Sequence, residues 1–154
     1  MIELKNISFR HENADVPSLK NISLTIADGE CVLLCGESGS GKTTITRLIN
    51  GLIPHFYEGE LEGIAMVNGL NVTEAELYET AKLVGSVFQN PRSQFFCVDT
   101  TSELAFGCEN MGMPENEVLA RVDAASAELK IENLLGRSIF ELSGGEKQKI
   151  ACAS

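Results

Sequence analysis

The sequence of 154 residues predicts an α/β protein. Three observations support this class. Two segments near the N-terminus alternate apolar and polar residues, as half-buried strands do. A glycine-rich stretch at residues 36–43 stands between an apolar run and a segment with helical character. The second half carries helix-start signals and helical spacing of apolar residues. We therefore expect strands first, a strand–loop–helix unit next, and helices last.

The first two strands are predicted by alternation, with a polar connection at residues 11–15 between them. Their apolar residues are Ile2, Leu4 and Phe9, then Ile22, Leu24 and Ile26. A turn at Asp28 and Gly29 leads into the apolar run at residues 31–35. We expect this run to be a buried strand, with Cys31 and Cys35 as small core residues.

Residues 36–43 read GESGSGKT, which has the form G-x-x-x-x-G-K-[ST] of a phosphate-binding loop. Glycines let successive backbone amides point at a phosphate, and the N-terminus of the helix predicted at residues 43–50 adds partial positive charge. Lys42 can reach the β- and γ-phosphates, and the Thr43 hydroxyl can ligate Mg²⁺. The sequence thus predicts a site for ATP and Mg²⁺. Its candidate residues are Gly36, Glu37, Ser38, Gly39, Ser40, Gly41, Lys42, Thr43 and Thr44.

The middle of the chain is predicted from its turn residues and short apolar runs. We expect a loop at residues 51–63, in which His55, Phe56 and Tyr57 lie at the surface or contact a partner. A short strand at residues 64–67 should end at the turn Asn68-Gly69. We expect Thr73 to cap a short helix that ends near residue 81. Residues 83–88 should form another buried strand that ends at Gln89.

The second half is predicted to be helical. Thr100 and Glu103 have capping-box spacing for a helix that ends near Asn110. Pro114 opens another helix to about residue 129, with Val118, Val122 and Ala125 on one face. A last helix begins at LSGGEKQ, residues 142–148.

Composition limits the partners. The formal net charge is −10, from 22 acidic and 12 basic residues, which disfavours nucleic acid. A local nest of amides and one lysine can still bind ATP. The five cysteines lack metal-ligand spacing and fit a reduced, cytosolic protein. The N-terminus is not typical of a signal peptide, and no apolar run has the length of a membrane span. We therefore expect membrane association only through a partner.

The order of phosphate loop, Gln89 and LSGGEKQ resembles the nucleotide-binding domain of ABC transporters, over essentially the whole chain. Glu146 stands where the family's LSGGQ signature has glutamine. Three further segments resemble the ATPase subunits of energy-coupling-factor importers of vitamins and metal ions. They are GLIPHFYEGELEG at residues 51–63, FQNPRSQFF at residues 88–96 and SELAFGCEN at residues 102–110.

The resemblance implies a P-loop NTPase fold of ABC type in one domain, residues 1–154. An antiparallel β front part and phosphate-loop part would occupy residues 1–89, an α-helical subdomain residues 90–142, and the signature helix residues 143–154. The RecA-like parallel core would be incomplete. Two further strands of the family would lie between the strands predicted at residues 31–35 and 83–88, and their sequence is not in this chain.

The resemblance also assigns roles. Ser143, Gly144 and Gly145 would serve ATP held by the phosphate loop of a second ATPase subunit, in a homo- or heterodimer. Gln89 would sense Mg²⁺ and the attacking water, and would couple the site to an integral membrane subunit. His11 stands where this branch has an aromatic residue that stacks on adenine. There are three alternatives: His11 itself stacks on adenine, Phe9 does so after a shift of the strand register, or His11 has no contact with adenine.

The family's catalytic glutamate, its second magnesium-binding aspartate and its switch histidine would follow the signature helix, beyond Ser154. We therefore expect an ATPase by family, but a chain deficient in hydrolysis as given. Our first hypothesis is the ATP-binding subunit of an importer, held at the cytoplasmic face of the membrane by its partners. The alternative is a non-catalytic nucleotide-binding or interaction fragment. A soluble ABC ATPase of DNA repair or translation is disfavoured by the acidic charge.

Overall fold

The computed structural model describes residues 1–154, which form two compact units, Met1–Ser86 and Val87–Ser154. Each unit has its own hydrophobic core. The first core is built on a β-sheet and the second on helices. No helix in either unit combines the length and the apolar character needed to cross a membrane.

The sheet of the first unit contains four antiparallel strands in the order β2-β1-β3-β4. They are β1 (Ile2–His11), β2 (Leu19–Ile26), β3 (Gly59–Val67) and β4 (Leu70–Asn71). The two strands predicted from alternation are confirmed. The strand predicted at residues 64–67 is five residues longer at its start, because Gly59 pairs with His11 at the far end of β1. Residues 59–63, predicted as loop, form strand because they pair with β1, which is remote in sequence and cannot be predicted from a local pattern.

The turn between β3 and β4 forms at Asn68 and Gly69, as predicted. Both residues have positive φ, 47° and 85°. A type I′ hairpin turn requires positive φ at both central residues, and Asn-Gly is the pair that adopts it most readily.

Three helices complete the first unit: α1 (Lys42–Ile49), α2 (Leu52–His55) and α3 (Leu77–Ala81). α1 confirms the helix predicted after the glycine loop, whereas α2 lies inside a predicted loop. The predicted cap of α3 is wrong. Thr73 donates its hydroxyl to Asn71 Oδ1 at 2.8 Å, and the helix begins after Glu76, whose amide donates to Glu79 Oε2 at 3.3 Å.

The two predicted buried strands at residues 31–35 and 83–88 are wrong. Neither segment is assigned to a strand, and Leu33 is 84% exposed. Cys31 and Cys35 are exposed rather than core residues. An apolar run becomes a buried strand only where neighbouring strands satisfy its backbone amides and carbonyls. All strands of this chain pair instead within the antiparallel sheet.

The second unit packs three helices, α4 (Thr100–Asn110), α5 (Glu115–Leu129) and α6 (Gly144–Ala153), with short 3₁₀ helices between them. These helices confirm the predicted ones, and Val118 and Val122 of α5 are buried as their spacing requires. Ala125 is half-buried. The core of this unit also contains Leu104, Ile131, Leu142 and Ile150.

The predicted capping box at Thr100 is wrong. Asp99 caps α4 by accepting a hydrogen bond from the Ser102 amide at 3.0 Å, and this bond lowers the pKa of Asp99. Thr100 is the first helical residue and donates its hydroxyl to the Leu134 carbonyl at 2.7 Å. Glu103 reaches further back, to the amides of Phe96 and Cys97.

Candidate functional site

The phosphate loop ends at the first turn of α1. Gly41 precedes the helix with φ 88°, and no side chain caps the helix N-terminus. A Cβ at Gly41 would lie 2.8 Å from the Ser18 carbonyl oxygen, so only glycine fits this approach of the loop to the start of β2. The first amides of a helix have no partner within the helix. In α1 they have none from a capping side chain either, which suits them to bind an anion.

Lys42 is the first residue of α1, and its ammonium lies against the loop. It donates to the carbonyls of Gly36 at 2.9 Å and Glu37 at 2.6 Å, and to Ser40 Oγ at 3.2 Å. The following Thr43 is exposed, and Thr44 is buried. The loop residues Glu37, Ser38 and Ser40 are exposed.

These features together fit a phosphate group. The ammonium donates to two carbonyls and a hydroxyl, not to a carboxylate, and the amides at the start of α1 have no side-chain cap. The Thr43 hydroxyl is a suitable oxygen ligand for Mg²⁺ at the same place.

His11 belongs to an aromatic cluster at the end of β1. Its ring meets Phe9 edge-on at 4.7 Å between centroids, and Tyr57 at 6.4 Å. The guanidinium of Arg47, from α1, lies 3.9 Å from the centre of the Tyr57 ring. This chain of contacts joins the end of β1 to the helix that starts at the phosphate loop. The sequence did not predict Tyr57 here, because its partners are remote along the chain.

Phe9 is not available to stack on a base, which corrects one sequence-based alternative. Only 1% of its surface is exposed, and it packs in the core of the first unit. His11 is half-buried and borders an open surface pocket. Three carboxylates line that pocket, from Glu12, Glu58 and Glu60, beside the guanidinium of Arg10, which pairs with Glu60 at 2.7 Å. The net charge of the lining is negative, which disfavours phosphate groups there, so a neutral ring is the better match.

Gln89 is exposed and lies in the second unit. It does not end a strand, contrary to the prediction. Its neighbours are both anchored. The Phe88 amide donates to Gln94 Oε1 at 3.0 Å, and Asn90 Oδ1 accepts from the Arg92 amide at 3.1 Å, which caps the 3₁₀ helix Pro91–Ser93.

The signature motif opens α6 through a reciprocal cap. Ser143 Oγ accepts from the Glu146 amide at 3.3 Å, and Glu146 Oε2 accepts from the Ser143 amide at 2.7 Å. Hydrogen bonding to the side chain and to the backbone amide of Ser143 lowers the pKa of the Glu146 carboxyl. Gly144 and Gly145 are exposed, and a Cβ on either would meet nothing within 4 Å.

Lys147 binds the first residue of the signature motif. It is 6% exposed, and its ammonium donates to the Leu142 carbonyl at 2.9 Å. The sequence alone does not predict this contact. The available signal was a lysine four residues after Ser143, on the first turn of a helix, where a cation is unfavourable unless it has a specific partner.

Known proteins of one family resemble this sequence. The family described as ABC transporter matches residues 19–154. A protein of Treponema denticola named ABC transporter ATP-binding protein is 58% identical over the whole chain, which covers 32% of that protein. A similarly named protein of Pyrococcus abyssi is 42% identical, and the chain covers 55% of it. The chain therefore spans between about one third and about half of these curated relatives.

Two solved structures share the fold. The cbiO1 protein of Clostridium perfringens, described as part of the ABC transporter complex cbiONQ, superposes with a TM-score of 0.85 at 27% identity. The match covers 99% of this chain and 59% of cbiO1. The ATP-binding cassette MJ0796 superposes with a TM-score of 0.79 at 24% identity, over 99% of this chain and 68% of the other. The fold is thus that of an ABC-type P-loop ATPase.

Proposed function

Because this chain belongs to the ABC transporter family, we propose that it is the ATP-binding part of an importer subunit. In this proposal the full-length protein couples ATP binding and hydrolysis to transport through a membrane partner. The observation that carries the proposal is the phosphate loop, in which Lys42 and the uncapped start of α1 converge. The chain spans only part of its relatives, so turnover is a property to be tested on the full-length protein.

The residues of the loop bind and orient the triphosphate. Lys42 binds the β- and γ-phosphate oxygens as a point charge, and the amides at the start of α1 bind the same anion. Thr43 and Gln89 would be the residues to hold Mg²⁺, which would neutralise charge on the phosphates. Gln89 also orients the attacking water. His11, supported by Tyr57 and Arg47, borders the adenine.

A second ATPase subunit completes the site. The hydroxyl of Ser143 and the amides at Gly144 and Gly145 are exposed donors at the start of a helix, which suits them to the γ-phosphate of the partner's ATP. A twofold arrangement of two such subunits would complete two sites at once. Both identical and related partner subunits satisfy this requirement.

Two observations support a membrane partner: the similarity to cbiO1 and the exposed aromatic side chains of the second unit. The similar cbiO1 is described as part of the complex cbiONQ, and we extend a membrane-bound assembly of this importer type to the present chain. Phe96 and Phe140 in the second unit are 77% and 79% exposed. Large exposed aromatic side chains are frequent where a protein binds another. The chain then works at the cytoplasmic face of the membrane.

The test is Mg-ATP binding by calorimetry to the full-length protein and to its Lys42→Ala variant. Removing a charged donor from a phosphate costs about 1.5–3 kcal/mol, so we expect affinity to fall about 10–100-fold. ATP turnover, measured on the same samples, should fall with it.

Lys20→Ala is the matched control, because it removes the same charge from an exposed position on β2 in the same unit. We expect its affinity to stay within about twofold of the parent protein. Equal affinities for all three proteins would overturn the assignment of the phosphate loop.

A further inference from the structure

Gln94 joins two parts of the second unit that are 57 residues apart in sequence. Its Oε1 accepts a hydrogen bond from the Phe88 amide at 3.0 Å. Its Nε2 donates to the Ala151 carbonyl, on α6, at 3.4 Å. One planar side chain therefore connects the residue before Gln89 to the helix that Ser143 opens.

The Phe88 end of this link restricts the backbone at Gln89. Phe88 is the residue directly before Gln89, and Asn90, directly after it, caps the 3₁₀ helix that follows. Gln89 itself is exposed. A side chain whose flanking backbone is anchored on both sides loses fewer conformations when it binds a ligand.

The other end of the link is buried. Ala151 is 3% exposed and lies on the face of α6 that packs in the core. A carbonyl oxygen has two lone pairs, so accepting from Gln94 leaves it able to accept from a second donor. A shift of α6 along its axis would therefore pull on Gln94, and through it on Phe88.

The same loop is fixed to α4 on its other side. Glu103 is 3% exposed, and its carboxylate accepts from the amides of Phe96 at 3.0 Å and Cys97 at 2.8 Å. The segment at residues 88–97 is thus attached to α4 by a carboxylate and to α6 by an amide. The amide both accepts and donates, so Gln94 ties the Gln89 backbone to the helix of the signature motif.

We propose that Gln94 is a positioning residue that couples the signature helix to Gln89. When Ser143 engages a phosphate and α6 moves, Gln94 transmits the displacement to the backbone at Gln89. The proposal deepens the proposed function and rests on it, because it assumes that Gln89 and Ser143 act on ATP.

The test uses the full-length protein with Gln94→Met and Gln94→Glu. Methionine has nearly the same length and neither hydrogen bond, so we expect the Phe88 amide to exchange its hydrogen about fivefold faster. We also expect kcat to fall about tenfold, while the Kd for Mg-ATP stays within about twofold, since Lys42 and its loop belong to the other unit.

Gln94→Glu separates the two hydrogen bonds. A carboxylate still accepts from Phe88, so exchange at Phe88 should remain slow, but it cannot donate to Ala151, so kcat should fall. A protonated carboxyl can donate again. Relative to the parent protein, kcat should therefore recover as the pH is lowered from 7 towards 4.5, close to the ordinary glutamate pKa of about 4.3, a change that a merely structural role would not produce.

Asn116→Asp, an exposed amide-to-carboxylate change on α5, is the control and should follow the pH profile of the parent. Unchanged Phe88 exchange, or unchanged kcat, in Gln94→Met would overturn the proposal. So would a Gln94→Glu profile parallel to that of the parent. If Lys42→Ala leaves ATP binding intact while Phe88 exchange responds to Gln94, the proposed function fails and the link to α6 stands.

Discussion

The phosphate loop and the signature motif both place glycines at the start of a helix, but the two helices begin differently. α1 begins after Gly41 with no side-chain cap, and its lysine folds over the loop. α6 begins after Ser143 with a reciprocal cap to Glu146. The same helix-terminal amides are therefore left to a ligand in one motif and partly satisfied by the protein in the other.

This difference indicates where each motif gets its stability. α1 depends on its surroundings, because Gly41 must fit against Ser18 for the helix to start where it does. α6 is stabilised locally by its own first turn. A helix end that must bind a triphosphate needs its donors, whereas one that contributes a hydroxyl and its first two amides can be capped at the third.

The largest expected effect is that of Gly41→Ala. The residue has φ 88°, and its new Cβ would lie 2.8 Å from both the Ser18 carbonyl oxygen and Leu19 Cδ2. Backbone strain and overpacking together should lower the free energy of unfolding by about 3 kcal/mol, measured by urea denaturation.

Gly39→Ala is the control for that change. Gly39 has a similar φ of 83°, but a Cβ there meets nothing within 4 Å, so only strain remains and the loss should be about 1 kcal/mol. Equal losses in the two variants would show that the contact with Ser18 contributes nothing.

A smaller effect is expected at the start of α6. Ser143→Ala removes the acceptor for the Glu146 amide and should cost about 1 kcal/mol in the same denaturation assay. Ser143→Gly should cost only a few tenths, about 0.3 kcal/mol, because glycine is itself tolerated at a helix cap. Two equally stable variants would argue that the cap does not stabilise α6.

The smallest effect concerns the charge of Glu146. Its pKa lies below the ordinary value of 4.5 because of the hydrogen bonds to Ser143. The folded state therefore favours the carboxylate. This stabilisation is fully present at a pH above the pKa that Glu146 has in the unfolded chain. It is lost as the pH falls through the lower pKa that Glu146 has in the folded state.

Glu146→Gln should remove that pH dependence while it keeps an acceptor for the Ser143 amide. We expect the difference in Tm between parent and variant to shrink as the pH is lowered from 6 to 3. A difference that is constant over this range would mean that the charge of Glu146 does not support the cap.

The sequence predicts the local elements well and the non-local ones poorly. The helices α1, α4, α5 and α6 carry their own start signals and periodicity, and each is found within a residue or two. The glycine loop and LSGGEKQ likewise specify their conformations by residue type. The fold class and the family follow from these local signals and their order.

What the sequence did not predict depends on partners remote in the chain. The runs at residues 31–35 and 83–88 look like strands, but strand formation depends on neighbours. Gly59 became strand because β1 lies beside it. Asp99, and not Thr100, caps α4, while Thr100 is drawn to Leu134 in the core. The contacts of Tyr57 with Arg47 and His11 have no sequence signature.

The hydrogen bonds of Lys42 to its own loop have a consequence for ligand affinity. A free lysine side chain loses about 1.5–2 kcal/mol of rotamer entropy when it is fixed. Here folding has already restricted it, since three loop oxygens hold its ammonium. The side chain is preorganised. A bound phosphate would replace loop oxygens as the partner of the ammonium, and it would not have to order a mobile lysine side chain. Nucleotide affinity should accordingly be sensitive to loop substitutions that leave every phosphate contact in place.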